Sequence, residues 1–187
     1  MKATFRPALV LFAMLTLICG VIYPYAINGI GKLAFSDQAE GSLVSRNGQL
    51  VGSSLIGQAF SSPQYFWGRP SATDPMPNNA TASSGANQGP LNPALTDNVK
   101  GRIDALKAAD PANTLPIPID LVTASASGLD PEISVAAALY QAGRIARTRN
   151  ISVEQVQALI SKHSLPQFFG FFGEPRVNVL QLNLALD

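Results

Sequence analysis

The stretch SGLDPEISVAAALYQAGRIARTRN, Ser127 to Asn150, concentrates polar chemistry in a short space. It holds Ser127, Asp130, Glu132, Tyr140, Gln141 and the arginines Arg144, Arg147 and Arg149, and the chain's only histidine, His163, follows. A serine, a carboxylate and a histidine are the parts of a nucleophilic hydrolase, provided the fold brings them into hydrogen-bonding reach. The spacing itself places no acid or nucleophile beside His163, and a histidine late in a helix is also a capping group. A second cluster, Phe66, Trp67 and Arg69 in PQYFWGRPSATD, is open to two readings. It is an aromatic and cationic surface that grips a partner, or aromatics filling a small core while Arg69 caps a turn.

The elements around these residues decide how much chemistry is left. Asp130 reads as an N-cap, Pro131 as the first helical residue, and Glu132 as a charge facing the positive end of the helix dipole. That predicts a helix to about Arg149, with Ile133, Ala137, Tyr140 and Ile145 on its apolar face. Arg144, Arg147 and Arg149 then gather at its C-terminal end, where cations are favoured. Capping and dipole roles thus account for most of the polar residues. Ser152 and Gln155 form a capping box opening a further helix, with Val156, Leu159 and Ile160 inside and His163 near its end. Asn92-Pro93 opens another, with Leu95, Val99, Ile103 and Leu106 on one face, closed by Asp110-Pro111.

Strand signals are fewer. Asn47-Gly48 predicts a hairpin pairing residues 43–46 with 49–53. LPIPIDLVTAS reads as extended, with a strand over residues 119–124. VNVLQLNLAL alternates Leu180, Leu182, Leu184 and Leu186, the pattern of a strand over a core. Residues 71–93 form a long loop rich in Ser, Thr, Asn, Pro and Gly, whose backbone amides could cradle an anion. No G-x-x-x-x-G-K-[ST] sequence occurs, which weighs against a soluble nucleotide-binding module.

Composition sets the compartment. Charged residues are 13% and hydrophobic residues 47%, a low charge content for a soluble domain. From Pro7 to Gly31 there is no charge at all. A helix of about 20 apolar residues crosses the hydrocarbon core. Pro7 fits a first turn, and Pro24 is expected to kink or end the helix near an interface marked by Tyr23 and Tyr25. A cleavable signal fits less well, because the run is long and lacks an Ala-x-Ala site. A lipoprotein signal ending at Cys19 lacks the small residue before it. The expected domains are an anchor at 1–34, spanning about 8–30, and an α+β domain at 35–187. Small residues such as Ala13 and Gly20 are candidates for packing the span on partner helices.

Lys2 and Arg6 precede the span and Lys32 follows it, so the positive-inside rule puts the N-terminus in the cytoplasm and the domain outside it. The net charge of +1 and the absence of a basic cluster exclude a nucleic-acid footprint. One cysteine, Cys19, excludes an intramolecular disulfide, and one Cys with one His excludes the usual zinc site. From the residues alone, the chain is a single membrane helix followed by an extracytoplasmic α+β domain. As an enzyme it would be a membrane-anchored envelope enzyme using polar residues around Ser127, Asp130 and His163.

Several blocks, in order, are similar to one family. They are the N-terminal anchor, GSSLIGQAF (Gly52 to Phe60), YFWGRPSA (Tyr65 to Ala72), SGLDPEIS (Ser127 to Ser134) with AAALYQAGRIARTRN, and VNVLQLNLALD (Val177 to Asp187). Over essentially the whole chain they resemble the C subunit of the bacterial Kdp potassium-transporting ATPase. The resemblance implies a non-catalytic subunit of an inner-membrane potassium pump, with no cofactor of its own. Its partners would be a channel-like potassium-binding subunit, a P-type ATPase subunit, a very small fourth subunit and membrane lipid. ATP and potassium would be handled by the complex, and this chain has no DKTGT phosphorylation motif. The resemblance further implies a role in raising the pump's ATP affinity, through a glutamine for which Gln141 is the candidate; a domain outside the cytoplasm would act only indirectly. Phe66, Trp67, Arg69, Asp130, Pro131 and Arg144 are the candidates for docking and folding.

Overall fold

In hydrocarbon a backbone can satisfy its own N–H and C=O groups only within a helix or a closed barrel, and the uncharged N-terminal run is helical throughout. A computed structural model describes residues 2–187. Met1, the first residue of the expected anchor, lies outside the described residues. The chain divides into two units, Met1–Leu43 and Val44–Asp187.

The first unit contains α1 (Lys2–Leu17), a π-helical turn (Ile18–Ile22), α2 (Tyr23–Ala34) and the short α3 (Ser36–Ala39). Helix Phe5–Ala34, 30 residues, is long and apolar enough to cross a membrane. Of the two outcomes expected at Pro24, a kink or an end, the helix does not end there. Pro24 sits in the first turn of α2, just after the π turn, where the Tyr23 N–H bonds the Ile18 carbonyl five residues back. The wider turn leaves room for the proline ring and for its missing donor.

The second unit is a mixed helix and sheet domain. β1 (Leu43–Arg46) and β2 (Gln49–Ser53) pair in a two-stranded sheet. Asn47 and Gly48 both have positive φ, 52° and 76°, as their type I′ turn requires. After the long loop come α4 (Pro93–Ala109), a 3₁₀ turn (Ile119–Leu121), β3 (Glu132–Ser134), α5 (Val135–Arg149), α6 (Val153–His163), β4 (Ser164–Leu165), β5 (Arg176–Asn178) and α7 (Val179–Leu186). The second sheet has order β3-β5-β4 and is antiparallel, with Ile133 opposite Val177 and Ser164 also opposite Val177. The core is built from Phe66, Ile133, Ala137, Ala138, Ile145, Val156, Ile160, Val177 and Leu182.

Three expectations need correction. Asp130-Pro131 does not start the helix. Residues 132–134 are claimed by pairing with β5, and the helix begins one turn later with Ser134 as its cap, accepting from Ala137 N at 3.0 Å. Residues 119–124 are not a strand but begin as a 3₁₀ turn, because Leu121 N–H bonds the Pro118 carbonyl and Val122 N–H the Ile119 carbonyl, each three residues back. The leucine alternation at the end of the chain is not a strand either. Asn178 caps α7 by accepting from Gln181 N at 3.1 Å, and the buried set Val179, Leu180, Leu182, Asn183 is helical in spacing. The late strand is the three residues before it, and it pairs with β3 and β4 rather than with the hairpin.

The loop at 71–93 stitches itself together. Ser71 Oγ donates to the Gly128 carbonyl at 2.7 Å and accepts from Asn78 N at 2.9 Å. Thr73 Oγ1 donates to Met76 O and accepts from Asn79 N. Ser84 N–H reaches Ser127 O. Gly128 (φ 69°) is required here, because a Cβ would meet Thr73 Cγ2 at 2.5 Å and Ser84 O at 2.6 Å. The loop's polar composition thus serves to satisfy its own backbone groups.

Candidate functional site

Gln141, Arg144 and Arg149 of α5 converge on one segment outside the helices and sheets, Pro63 to Arg69, which begins in a turn. Segments without ladder partners must satisfy their backbone groups by other means. Here two amide side chains do it. Gln141 Oε1 accepts from Trp67 N at 2.8 Å and its Nε2 donates to Trp67 O at 3.1 Å. Asn183, on α7, does the same for the preceding residue: Oδ1 accepts from Phe66 N at 2.8 Å and Nδ2 donates to Phe66 O at 3.0 Å. Each amide mimics a strand edge. Two consecutive residues are therefore held on both backbone groups, by two helices.

Arg144 completes the clamp. It donates to the carbonyls of Pro63 and Tyr65 and to Gln141 Oε1, the last at 2.6 Å. Its guanidinium lies 4.6 Å from the Trp67 ring centroid. Burial pushes Arg144 down to about 10, against the upward pull of Asp110 and Tyr140, so it stays charged at physiological pH. Phe66 is fully buried in the core and Trp67 packs against it. Gln141 is 1% exposed, and its amide also bonds Ala137 O. Every polar atom of Gln141 is thus engaged within the chain.

A second knot ties the same segment to Asp187. Arg149 donates to Gln64 O, to Leu186 O and to Asp187 Oδ1, the last at 2.6 Å, and lies over the Tyr65 ring at 4.9 Å. Tyr65 Oη donates to Asp187 Oδ2 at 3.0 Å, and Arg46 reaches the same oxygen at 3.2 Å. Burial works to raise the Asp187 carboxyl, but hydrogen bonds from Arg149 and Tyr65 and the charges of Arg149 and Arg46 outweigh it and hold it low. A carboxylate held low in the fold stabilises it above the ordinary carboxylate range, and that contribution is lost as pH falls through the lowered value. Asp187→Asn should therefore weaken the domain at neutral pH and make its stability less dependent on pH in the acid range, as measured by urea midpoints across an acid pH series.

The SGLDPEIS residues are each engaged locally. Ser127 Oγ accepts from Leu129 N, Glu132 pairs with Arg176 at 2.7 Å, and Asp120 holds both Ser134 N and Ser134 Oγ. Asp130 Oδ1 accepts from Glu132 N and Oδ2 pairs with Arg69 at 3.0 Å. Pro131 lends its carbonyl to Val179 N. Among the described residues no hydrogen bond joins His163 to Ser127 or Asp130, so no hydrolytic set is assembled. Asp130→Ala should cost about 1 kcal/mol, through the Arg69 pair and the Asx turn rather than through a helix cap. Thermal unfolding at low and high salt checks this, since the ion-pair share shrinks with salt. Ala13 and Gly20 are exposed along the span, Gly20 inside the π turn.

Sequence reasoning missed Asn183, Tyr65, Arg149 and Asp187 as parts of the clamp. One signal was present: Asn183 is a lone amide inside a leucine run, and a buried amide must have partners.

The family model for the c chain of K+-transporting ATPases, KdpC, matches residues 5–187. The chain belongs to the KdpC family. It is 82% identical over 187 residues to the potassium-transporting ATPase KdpC subunit of Herminiimonas arsenicoxydans, covering 100% of this chain and 98% of that protein. It is 76% identical to the KdpC subunit of Janthinobacterium sp. (strain Marseille), covering 100% of this chain and 99% of that protein. With the KdpC subunit of Dechloromonas aromatica (strain RCB) the identity is 63%, again across 100% of this chain and 98% of the relative. These matches include the helix Phe5–Ala34 and both helices of the clamp.

Proposed function

We propose that the chain is a non-catalytic accessory subunit of an ATP-driven potassium uptake pump, with its domain outside the cytoplasm. The observation that carries the reading is the family match over residues 5–187. Hydrolysis and phosphorylation then belong to a P-type ATPase partner, and potassium binding to a channel-like partner. A very small fourth subunit completes the complex.

The clamp supports a scaffold role. Gln141 is saturated by Trp67, Ala137 and Arg144, so it serves the fold rather than a nucleotide. Orientation follows from Arg6 and Lys2 before the span against Lys32 after it. An external domain raises apparent ATP affinity by binding one pump state better than another, which shifts the population of that state. The test compares the pump purified with and without this chain. The reading expects no ATP hydrolysis by the chain alone, and a weakened or disassembled pump in its absence. Hydrolysis by the isolated chain, or an intact pump without it, would contradict the reading.

A further inference from the structure

The turn between β4 and β5 turns four phenylalanines outward. Phe168, Phe169, Phe171 and Phe172 are 66%, 76%, 68% and 57% exposed. Their rings pair off, 168 with 169 at 4.3 Å and 171 with 172 at 4.2 Å between centroids. The backbone beneath them is closed in part. Phe168 N–H bonds Phe172 O and Phe172 N–H bonds Phe168 O, both at 2.9 Å, and Gly170 N–H bonds Gln167 O. Gln167 Nε2 donates to Gly173 O at 2.8 Å. Phe169 sits at φ 53°, an unfavourable region for a bulky residue, with Gly170 and Gly173 also at positive φ. The turn thus accepts an awkward backbone and presents apolar rings to solvent. No charged residue occurs from Leu165 to Gly173.

We propose that this turn inserts its phenylalanines into the lipid bilayer in which the chain's own span is anchored. Two observations favour lipid over a protein groove. The rings are all Phe, with no Trp, Tyr or Arg, whereas protein hot spots are enriched in those three. The domain is on the same chain as the helix Phe5–Ala34, which is long and apolar enough to cross a membrane. The turn inserts by apolar contact alone, so salt does not release it. The proposal requires only that the helix span a bilayer and is independent of the pump reading.

The experiment uses the full chain in phosphatidylcholine nanodiscs, without other subunits. A spin label is placed at Phe171→Cys or Phe172→Cys in a Cys19→Ala background, and collision with oxygen is compared with collision with a water-soluble nickel chelate. The native Cys19 label reports span insertion, Lys107→Cys reports a water-facing site, and emission from Trp67 reports folding. The proposal expects an oxygen-to-nickel ratio several-fold above that at Lys107, unchanged by salt. A ratio equal to that at Lys107, or a label shielded from both reagents as in a protein contact, overturns it. Hydroxyl-radical footprinting of the unlabelled chain in the same discs gives a check free of substitution. Shielded rings support insertion, and oxidation at the rate their exposure dictates overturns it.

Discussion

Replacing Gln141 by alanine should destabilise the domain by roughly 3–5 kcal/mol, without a selective effect on nucleotide affinity. The substitution removes no charge and little apolar area. It strips partners from Trp67 N–H, Trp67 C=O and Arg144 Nη2 at once, in a place where the replaced side chain was 1% exposed. A buried group left unpaired costs about 1–3 kcal/mol, and water has little access to repair the loss. Gln141→Glu keeps the acceptor for Trp67 N–H and Arg144 but loses the donor to Trp67 O and Ala137 O, and should fall between. Urea unfolding of the full chain in detergent, followed by Trp67 emission, measures both. If Gln141 contacted nucleotide instead, alanine would leave the midpoint nearly unchanged and lower the pump's ATP affinity.

Arg144→Leu should cost a similar roughly 3–5 kcal/mol, and Arg144→Lys should recover less than half of it. Leucine fills the volume but leaves the carbonyls of Pro63 and Tyr65 without this donor and Gln141 Oε1 with the Trp67 N–H alone. Lysine restores a charge. It has no planar fork to meet three acceptors while stacking on Trp67. Trp67 emission should shift to longer wavelength in both variants as the ring loses its cover. Full recovery by lysine would show that charge, not geometry, holds the segment.

Local signals were legible in the sequence and nonlocal ones were not. The Asn47-Gly48 hairpin, the Asn92-Pro93 opening of α4 and the Ser152–Gln155 box each depend on residues a few positions apart, and each stands where the spacing puts it. Asp130-Pro131 carries the local signal of a helix start, yet the helix opens behind Ser134. What decided between them was pairing of Glu132–Ser134 with Arg176–Asn178, far along the chain. The final leucines alternate as a strand does, and the Asn178 cap overrides that pattern by opening a helix. Gln141 and Arg144 drew notice as polar residues in an alanine-rich helix. Their role depends on a segment 74 to 81 residues away, which no local pattern announces. The aromatic and cationic cluster resolves residue by residue: Phe66 fills the core, Trp67 packs on it under Arg144, and Arg69 pairs with Asp130.

The most direct test of the account is the side of the membrane on which Asp187 lies. Two reporters fused after it, one active only outside the cytoplasm and one only inside, are compared in the assembled pump. The account predicts activity of the outside reporter alone, which rules out direct contact with cytoplasmic ATP and leaves the clamp as scaffold. Activity of the inside reporter alone would contradict the charge argument from Lys2, Arg6 and Lys32, and with it the indirect mechanism.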